Sequence, residues 1–312
     1  MASTSAHEER FVTSFDGTGI YSDASWVGSL SEVNQAIIFV HGLTATTYIW
    51  DPIFTSPRLL TPGRLLIRYD CRGHGRSDKP DASGDFPPAY SGEAFASDFA
   101  AVASAWGFTP SRAGRRVIGV AWSIGCATLS ELPRHGVSRD LVDGYLYLAP
   151  YAWPALGAHI AGPIAIECIP VLRGLLPASE QELENARRKW VSNFSSQAEG
   201  GVPREVVERW LKAARLLRPE VARQYGGRQE DDAGQAIVAA VVEKGTPLVL
   251  LHGTADLLLD CDKTIEVTGA AFGDAAAFQA VRLQGAGHHL MWDTREEVVN
   301  WVIEVEKRAT GA

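Results

Sequence analysis

The chain has 312 residues, 46% of them hydrophobic, and a formal net charge of −8. That length holds one large α/β domain or two small ones, and the apolar share is enough for a sizeable core. The acidic balance argues against a polyanion such as nucleic acid as partner.

The first ten residues are polar and lack the apolar stretch of a secretory signal. Cys71, Cys126, Cys168 and Cys261 are widely spaced and form no Cys-x-x-Cys pair. Free thiols in a reducing compartment fit this pattern, so a cytoplasmic location is expected. Apolar and β-branched runs predict strands over 10–14, 19–22, 36–40, 64–69, 116–121, 144–148, 247–251 and 278–283. Helical patterns separate the later strands, which implies a mainly parallel sheet with helices on both faces. Over 91–106, Phe95, Phe99, Val102 and Trp106 share one helical face, and Gly107 marks its stop. The stretch from Ala149 to Leu172 is apolar and long enough to cross a membrane. Four prolines (150, 154, 163 and 170), with His159 and Glu167, argue against a span. Two amphipathic patterns follow, one grouping Leu183, Ala186, Trp190 and Phe194, the other Val206, Val207, Trp210, Leu211 and Ala214. Gly200-Gly201 and Gly226-Gly227 are candidate hinges or loop points. Near the end, Thr294 and Glu297 have capping-box spacing. Val298, Trp301, Val302 and Val305 then form a buried face.

The chemistry concentrates in a few segments. Arg116-Val-Ile-Gly-Val-Ala-Trp-Ser-Ile-Gly-Cys-Ala-Thr128 reads as a buried strand turning sharply into a helix, with Ser123 at the corner. Such a turn crowds strand against helix, so the positions two before and two after must be small. Ala121 and Gly125 occupy them. Ala36-Ile-Ile-Phe-Val-His-Gly42 is a short apolar run ending in His-Gly. Pro247-Leu-Val-Leu-Leu-His-Gly-Thr-Ala-Asp256 is another buried run, ending near an aspartate. Gln284-Gly-Ala-Gly-His288 is a glycine-rich turn that delivers a histidine. A serine nucleophile needs a base, and the base needs an orienting carboxylate. The chain order Ser123, Asp256, His288 supplies all three.

On these segments the sequence resembles the α/β-hydrolase superfamily. Asp70-Cys-Arg-Gly-His-Gly-Arg-Ser77 is similar to a further loop of that family. Alanine at position 121, where the Gly-x-Ser-x-Gly signature has its first glycine, is the one departure. The resemblance implies an α/β core over 1–150 and 232–312, with an inserted helical cap over 151–231. It implies Ser123 as nucleophile, His288 as base and Asp256 as the acid that orients it. It also implies backbone oxyanion donors at Leu43 and Ile124. His289 is the rival to His288, and Asp260 and Asp262 are rivals to Asp256. Trp122, Tyr151 and Trp153 are candidate pocket residues for which core packing competes; His41 and His74 read as loop-shaping residues. No His-Glu-x-x-His, paired-cysteine or glycine-rich phosphate motif occurs, so no metal, nucleotide or flavin is expected.

The implied activity is a serine hydrolase acting on an ester, thioester or lactone of a small, largely apolar substrate. A carbon–carbon bond hydrolase, a perhydrolase or an acyltransferase could use the same triad. A ligand-binding, receptor-like protein with slow turnover is the reading from another class.

Overall fold

The computed structural model describes residues 5–84, 87–110, 114–136, 139–197, 201–227 and 232–311. Strands β1 (Ser5–Thr13), β2 (Gly19–Val27), β3 (Gln35–Val40), β4 (Arg64–Tyr69), β5 (Arg116–Trp122), β6 (Gly144–Leu148), β7 (Leu248–Gly253) and β8 (Phe278–Leu283) form one sheet. Its spatial order is β1-β2-β4-β3-β5-β6-β7-β8. The β1–β2 and β2–β4 pairs are antiparallel, and the rest are parallel.

The first two strands run longer than their apolar patterns predict. Polar residues hide the extension. In β1, Ser5 to Thr13 each face a partner in β2, so backbone pairing rather than burial defines the strand. In β2, Ser22 and Asp23 are buried yet satisfied: Trp106 Nε1 donates to Ser22 Oγ, and Arg68 Nε donates to Asp23 at 2.8 Å.

Side-chain alternation along the strands splits the interior into two clusters. Ala36, Ile38 and Val40 of β3 point to one, Ile37 and Phe39 to the other. The short α1 (Asp51–Phe54) adds Ile53 and Phe54 to the second cluster, while α2 (Gly92–Ala105) and α3 (Gly125–Glu131) cover the first.

Between β6 and β7 the chain inserts α4 (Gly157–Ile160), α5 (Pro163–Leu172), α6 (Glu180–Ser192), α7 (Arg204–Leu216), α8 (Pro219–Gly227) and α9 (Asp232–Val242). Pro163 starts α5 after the break that follows α4, which divides the apolar stretch of 149–172. Among the described residues no helix is long and apolar enough to cross a membrane. Of the predicted apolar faces, Trp190 of α6, Phe194 just after it, and Trp210, Leu211 and Ala214 of α7 are buried in the second cluster, while Leu183, Ala186, Val206 and Val207 pack against it half-buried. Gly226 and Gly227 lie in the last turn of α8 rather than at a hinge. A Cβ on Gly227 would sit 2.6 Å from Arg173 Nη2. Gly200 lies outside the described residues.

Two helices close the fold, α10 (Cys261–Phe272) before β8 and, after the short α11 (Leu290–Asp293), α12 (Arg295–Thr310). The capping box expected at Thr294 does not form. Thr294 has φ −136° and ψ 47°, and its hydroxyl donates to the Leu290 carbonyl of α11 instead. A capping box is formed by Ser179 and Glu182 at α6.

Candidate active site

Among the described residues, Thr44, Ser123 and Ala149 are the non-glycine residues with positive φ, at 63°, 56° and 43°. They follow the carboxyl ends of β3, β5 and β6 respectively. Such backbone costs about 1–3 kcal/mol per residue and persists where surroundings enforce it. Around Ser123 the enforcement is visible. Its N–H donates to the Leu148 carbonyl at 2.9 Å, and its carbonyl accepts from Cys126 and Tyr151, each at 3.1 Å. A Cβ on Gly125 would lie 2.5 Å from the Val40 carbonyl oxygen, and one on Gly42 would lie 2.8 Å from Ser123 Cβ. Both glycines are therefore required for β3 and the Ser123 corner to touch. Ala121 fits in the glycine place and is fully buried.

Asp256 sits just past β7. Its Oδ1 accepts from the N–H groups of Leu258 (2.8 Å) and Leu259 (3.0 Å). Its Oδ2 accepts from two imidazoles, His288 Nδ1 at 2.7 Å and His252 Nε2 at 3.0 Å. Burial pushes the Asp256 pKa up. The charge of His288 and the bonds from His252 and His288 outweigh it and hold the carboxyl below the usual range. An ionised Asp256 fixes His288 with its proton on Nδ1, which leaves Nε2 as a proton acceptor.

The loop around His288 is held on both sides. Trp122 Nε1 donates to the His288 carbonyl at 2.8 Å, and the two rings lie 5.0 Å apart. On the other side Asp293 accepts from Gly287 N, from the Ser195 hydroxyl, and from Ser196 N and Oγ. The segment after α6 thus clamps the histidine loop.

His289 turns away from this pair. Its Nε2 donates to the Ile49 carbonyl at 3.1 Å, and its ring packs against Trp122 and Trp210. Burial lowers its pKa to about 4. Asp260 caps α10 by accepting from Lys263 N, and exposed Asp262 pairs with Arg282. Neither reaches His288.

Ser123, His288, Leu43 and Ile124 line one cavity of about 330 Å³. Among the described residues the N–H groups of Leu43 and Ile124 donate to no protein acceptor. His41 lies below this loop, fully buried. Its Nδ1 donates to the Gly42 carbonyl and its Nε2 accepts from Cys71 N. Both nitrogens are spent on shaping the loop. The remaining walls come largely from the inserted helices, including Ala165, Ile166 and Ile169 of α5 and Trp190 of α6. Trp190 also donates to Thr44 Oγ1 at 3.0 Å.

Of the three sequence-predicted pocket residues, Tyr151 lines the cavity. Trp122 does not: it is under the site, occupied with the His288 backbone. Trp153 does not either. It is buried against Phe272 of α10 and over Gly234 of α9, where those two helices meet. Sequence reasoning passed over His252, although its spacing of four from Asp256 at a strand end was a usable signal. It also passed over Asp293 and Arg173, for which no local pattern exists. Among the described residues no group of three or more His, Cys, Asp or Glu side chains is placed to hold a metal ion.

Comparison with solved structures gives the same fold at low identity. A putative aryl esterase from Burkholderia cenocepacia is similar, with a TM-score of 0.79 and 21% identity over 98% of this chain and 100% of that one. An esterase from a Rhodococcus species has a TM-score of 0.74 and 22% identity, over 95% of this chain and 97% of that one. A 2-hydroxy-6-oxo-6-phenylhexa-2,4-dienoate hydrolase from Rhodococcus has a TM-score of 0.69 and 15% identity, over 97% of this chain and 100% of that one. Comparison with curated sequences gives no match. The family described as the alpha/beta hydrolase family matches residues 37–301. With most of its length matched and its sheet arranged as described, the chain belongs to the alpha/beta hydrolase family.

Proposed function

We propose that the protein is a serine hydrolase that cleaves an ester, thioester or lactone of a small, largely apolar substrate. The observation that carries this reading is the Asp256–His288 pair opening, together with strained Ser123, on one mostly apolar cavity. Ser123 Oγ attacks the carbonyl carbon while His288 Nε2 takes its proton. The oxyanion forms where the unspent N–H groups of Leu43 and Ile124 can donate to it. Collapse breaks the bond to the leaving group, which receives the proton from His288. Water then attacks the acyl-enzyme by the same route and frees Ser123. Asp256 stays ionised and holds the imidazole in the needed tautomer, and it stabilises the imidazolium once formed.

In this reading residues 151–231 act as a cap. They bring Tyr151, Trp190 and the α5 wall over the nucleophile, and the Asp293 clamp couples them to the histidine loop. The partner is a small molecule. The four cysteines are buried free thiols, which supports a cytoplasmic location.

A fluorophosphonate probe tests the chemistry. It should label the parent at Ser123 and leave Ser123→Ala unlabelled, with ester turnover lost in parallel. Label at another serine, or full turnover in Ser123→Ala, would overturn the reading. A burst followed by very slow turnover across ester classes would point instead to a receptor-like protein.

A further inference from the structure

Among the described residues the cavity has one arginine or lysine in its wall, Arg173. It is the C-cap residue of α5, three residues after Pro170 inside that helix. Its guanidinium carries five N–H donors. Among the described residues one bond is made with them, from Nη2 to the Arg223 carbonyl of α8 at 3.1 Å. Nε is buried without a partner. Among the described residues no carboxylate forms an ion pair with it.

Half-buried Arg116 and Arg187 likewise donate to a carbonyl with no ion pair among the described residues, but neither lines the cavity. The arginines buried in the core are each matched to acids: Arg64 to Glu306, Arg68 to Asp23 and Asp51, Arg72 to Asp98 and Asp16. Leaving a partly desolvated guanidinium unmatched is costly, because burial disfavours the charge. Burial lowers the Arg173 pKa, and the neighbouring charge of Arg223 adds to that. The fold nonetheless makes room for it. A Cβ on Gly226 would come within 3.3 Å of Arg173 Nε, and one on Gly227 within 2.6 Å of Nη2. Gly226 itself lines the cavity. Glycine on α8 thus leaves room for the guanidinium at the cavity wall. A planar fork with open donors matches a carboxylate in geometry as well as charge.

We propose that Arg173 forms an anion subsite in the cavity, and that the substrate is an ester bearing a free carboxylate away from the scissile bond. This rests on the serine hydrolase reading above and narrows its substrate class. The apolar wall of α5 between the two ends receives the hydrocarbon portion, and the guanidinium receives the acid.

The test uses two ester series read by titrating released acid. One carries the carboxylate on the acyl side, as monomethyl esters of dicarboxylic acids of increasing length, against methyl esters of the matching monocarboxylic acids. The other carries it on the alcohol side, as acetyl esters of ω-hydroxy acids, against acetyl esters of the matching alcohols. In at least one series the parent should favour the acid over its neutral match by tenfold or more in kcat/KM. Arg173→Gln should lower that ratio by roughly tenfold to a hundredfold, the range of a charge-assisted pair. Arg173→Lys should fall between. The ratio is taken within each variant, so damage to the shared machinery cancels. No preference in either series, or a preference that persists in Arg173→Gln, would overturn the proposal. Calorimetry with hexanedioate against the neutral hexanediamide reads the subsite without turnover. If no ester is turned over, the hydrolase reading fails by itself. Dicarboxylate binding that is lost in Arg173→Gln would then still support the subsite, and absence of binding would refute it.

Discussion

Asp70 and Asp256 stand in like places, each buried at the carboxyl edge of the sheet, one after β4 and one after β7. They are used differently. Asp70 gives both oxygens to the backbone, Oδ1 to Thr47 N and Oδ2 to Arg76 N. It knits two loops together. Gly75 must be glycine there, with φ 47° and no room for a Cβ against the Asp70 carboxylate. The nearby imidazole of His41 spends its nitrogens on Gly42 and Cys71. Asp256 gives only Oδ1 to the backbone and turns Oδ2 to His288 and His252. A buried aspartate at a strand end is thus a structural staple until an oxygen remains for an imidazole that faces a cavity.

The largest effect sets the scale for that contrast. Ser123→Ala and His288→Ala should each lower kcat by roughly 10⁶, as loss of one member of a cooperating triad does. Steady-state turnover of an activated ester reads it. A much smaller loss for His288→Ala would detach Asp256 from catalysis.

The aspartates themselves come next. Asp256→Asn should cost on the order of 10⁴ in kcat through the wrong imidazole tautomer. Asp70→Asn should keep kcat within about tenfold but lose about 2–3 kcal/mol of stability, since an amide cannot accept at both ends. Urea unfolding beside kinetics separates the two. Equal kinetic losses in well-folded variants would erase the distinction.

The imidazoles sharpen the contrast through pH. His74, in the Asp70 loop, is held to about 3 by burial and by the charges of His41 and Lys79. His289 is held to about 4, with burial the largest cause. Both folded values lie below the unfolded value of about 6.5, so the unfolded chain takes up protons first. Stability is full above that value and falls as pH drops. From pH 7 to 4.5 the loss should be about 2–3 kcal/mol for each histidine. His289→Phe should flatten the dependence measured by denaturant unfolding. An unchanged slope would show that this imidazole is not held neutral by the fold.

Two smaller effects probe the Asp256 corner. His252→Phe removes one of the two imidazole donors and should lower kcat by about tenfold, or ~1.4 kcal/mol of barrier. No change would make His252 a packing residue. Asp260→Asn should cost less than about tenfold in kcat, because Asn also caps a helix well. A larger loss there would bring Asp260 back as the acid.

Much of this was legible in the chain. The small residues around Ser123, the His-Gly end of β3 and the glycine turn before His288 are local steric demands, written where they act. The parallel strands were equally legible, because burial on both faces leaves continuous apolar runs. The ends of β1 and β2 were not, since backbone pairing and partnered polar groups hold them. Trp122 shows the limit at one residue. Its place beside Ser123 in sequence suggested the pocket, but alternation along β5 points neighbouring side chains to opposite faces.

By itself, then, the sequence determined the sheet, the serine corner and the chain order of Ser123, Asp256 and His288. Each depends on contacts within a few residues or on a repeating apolar period. The tertiary structure decided which of two adjacent histidines meets Asp256, that His252 shares it, and that Arg173 lines the cavity with no ion pair among the described residues. Those outcomes depend on which helix faces pack together, and packing joins residues far apart in the chain that carry no local mark of their meeting.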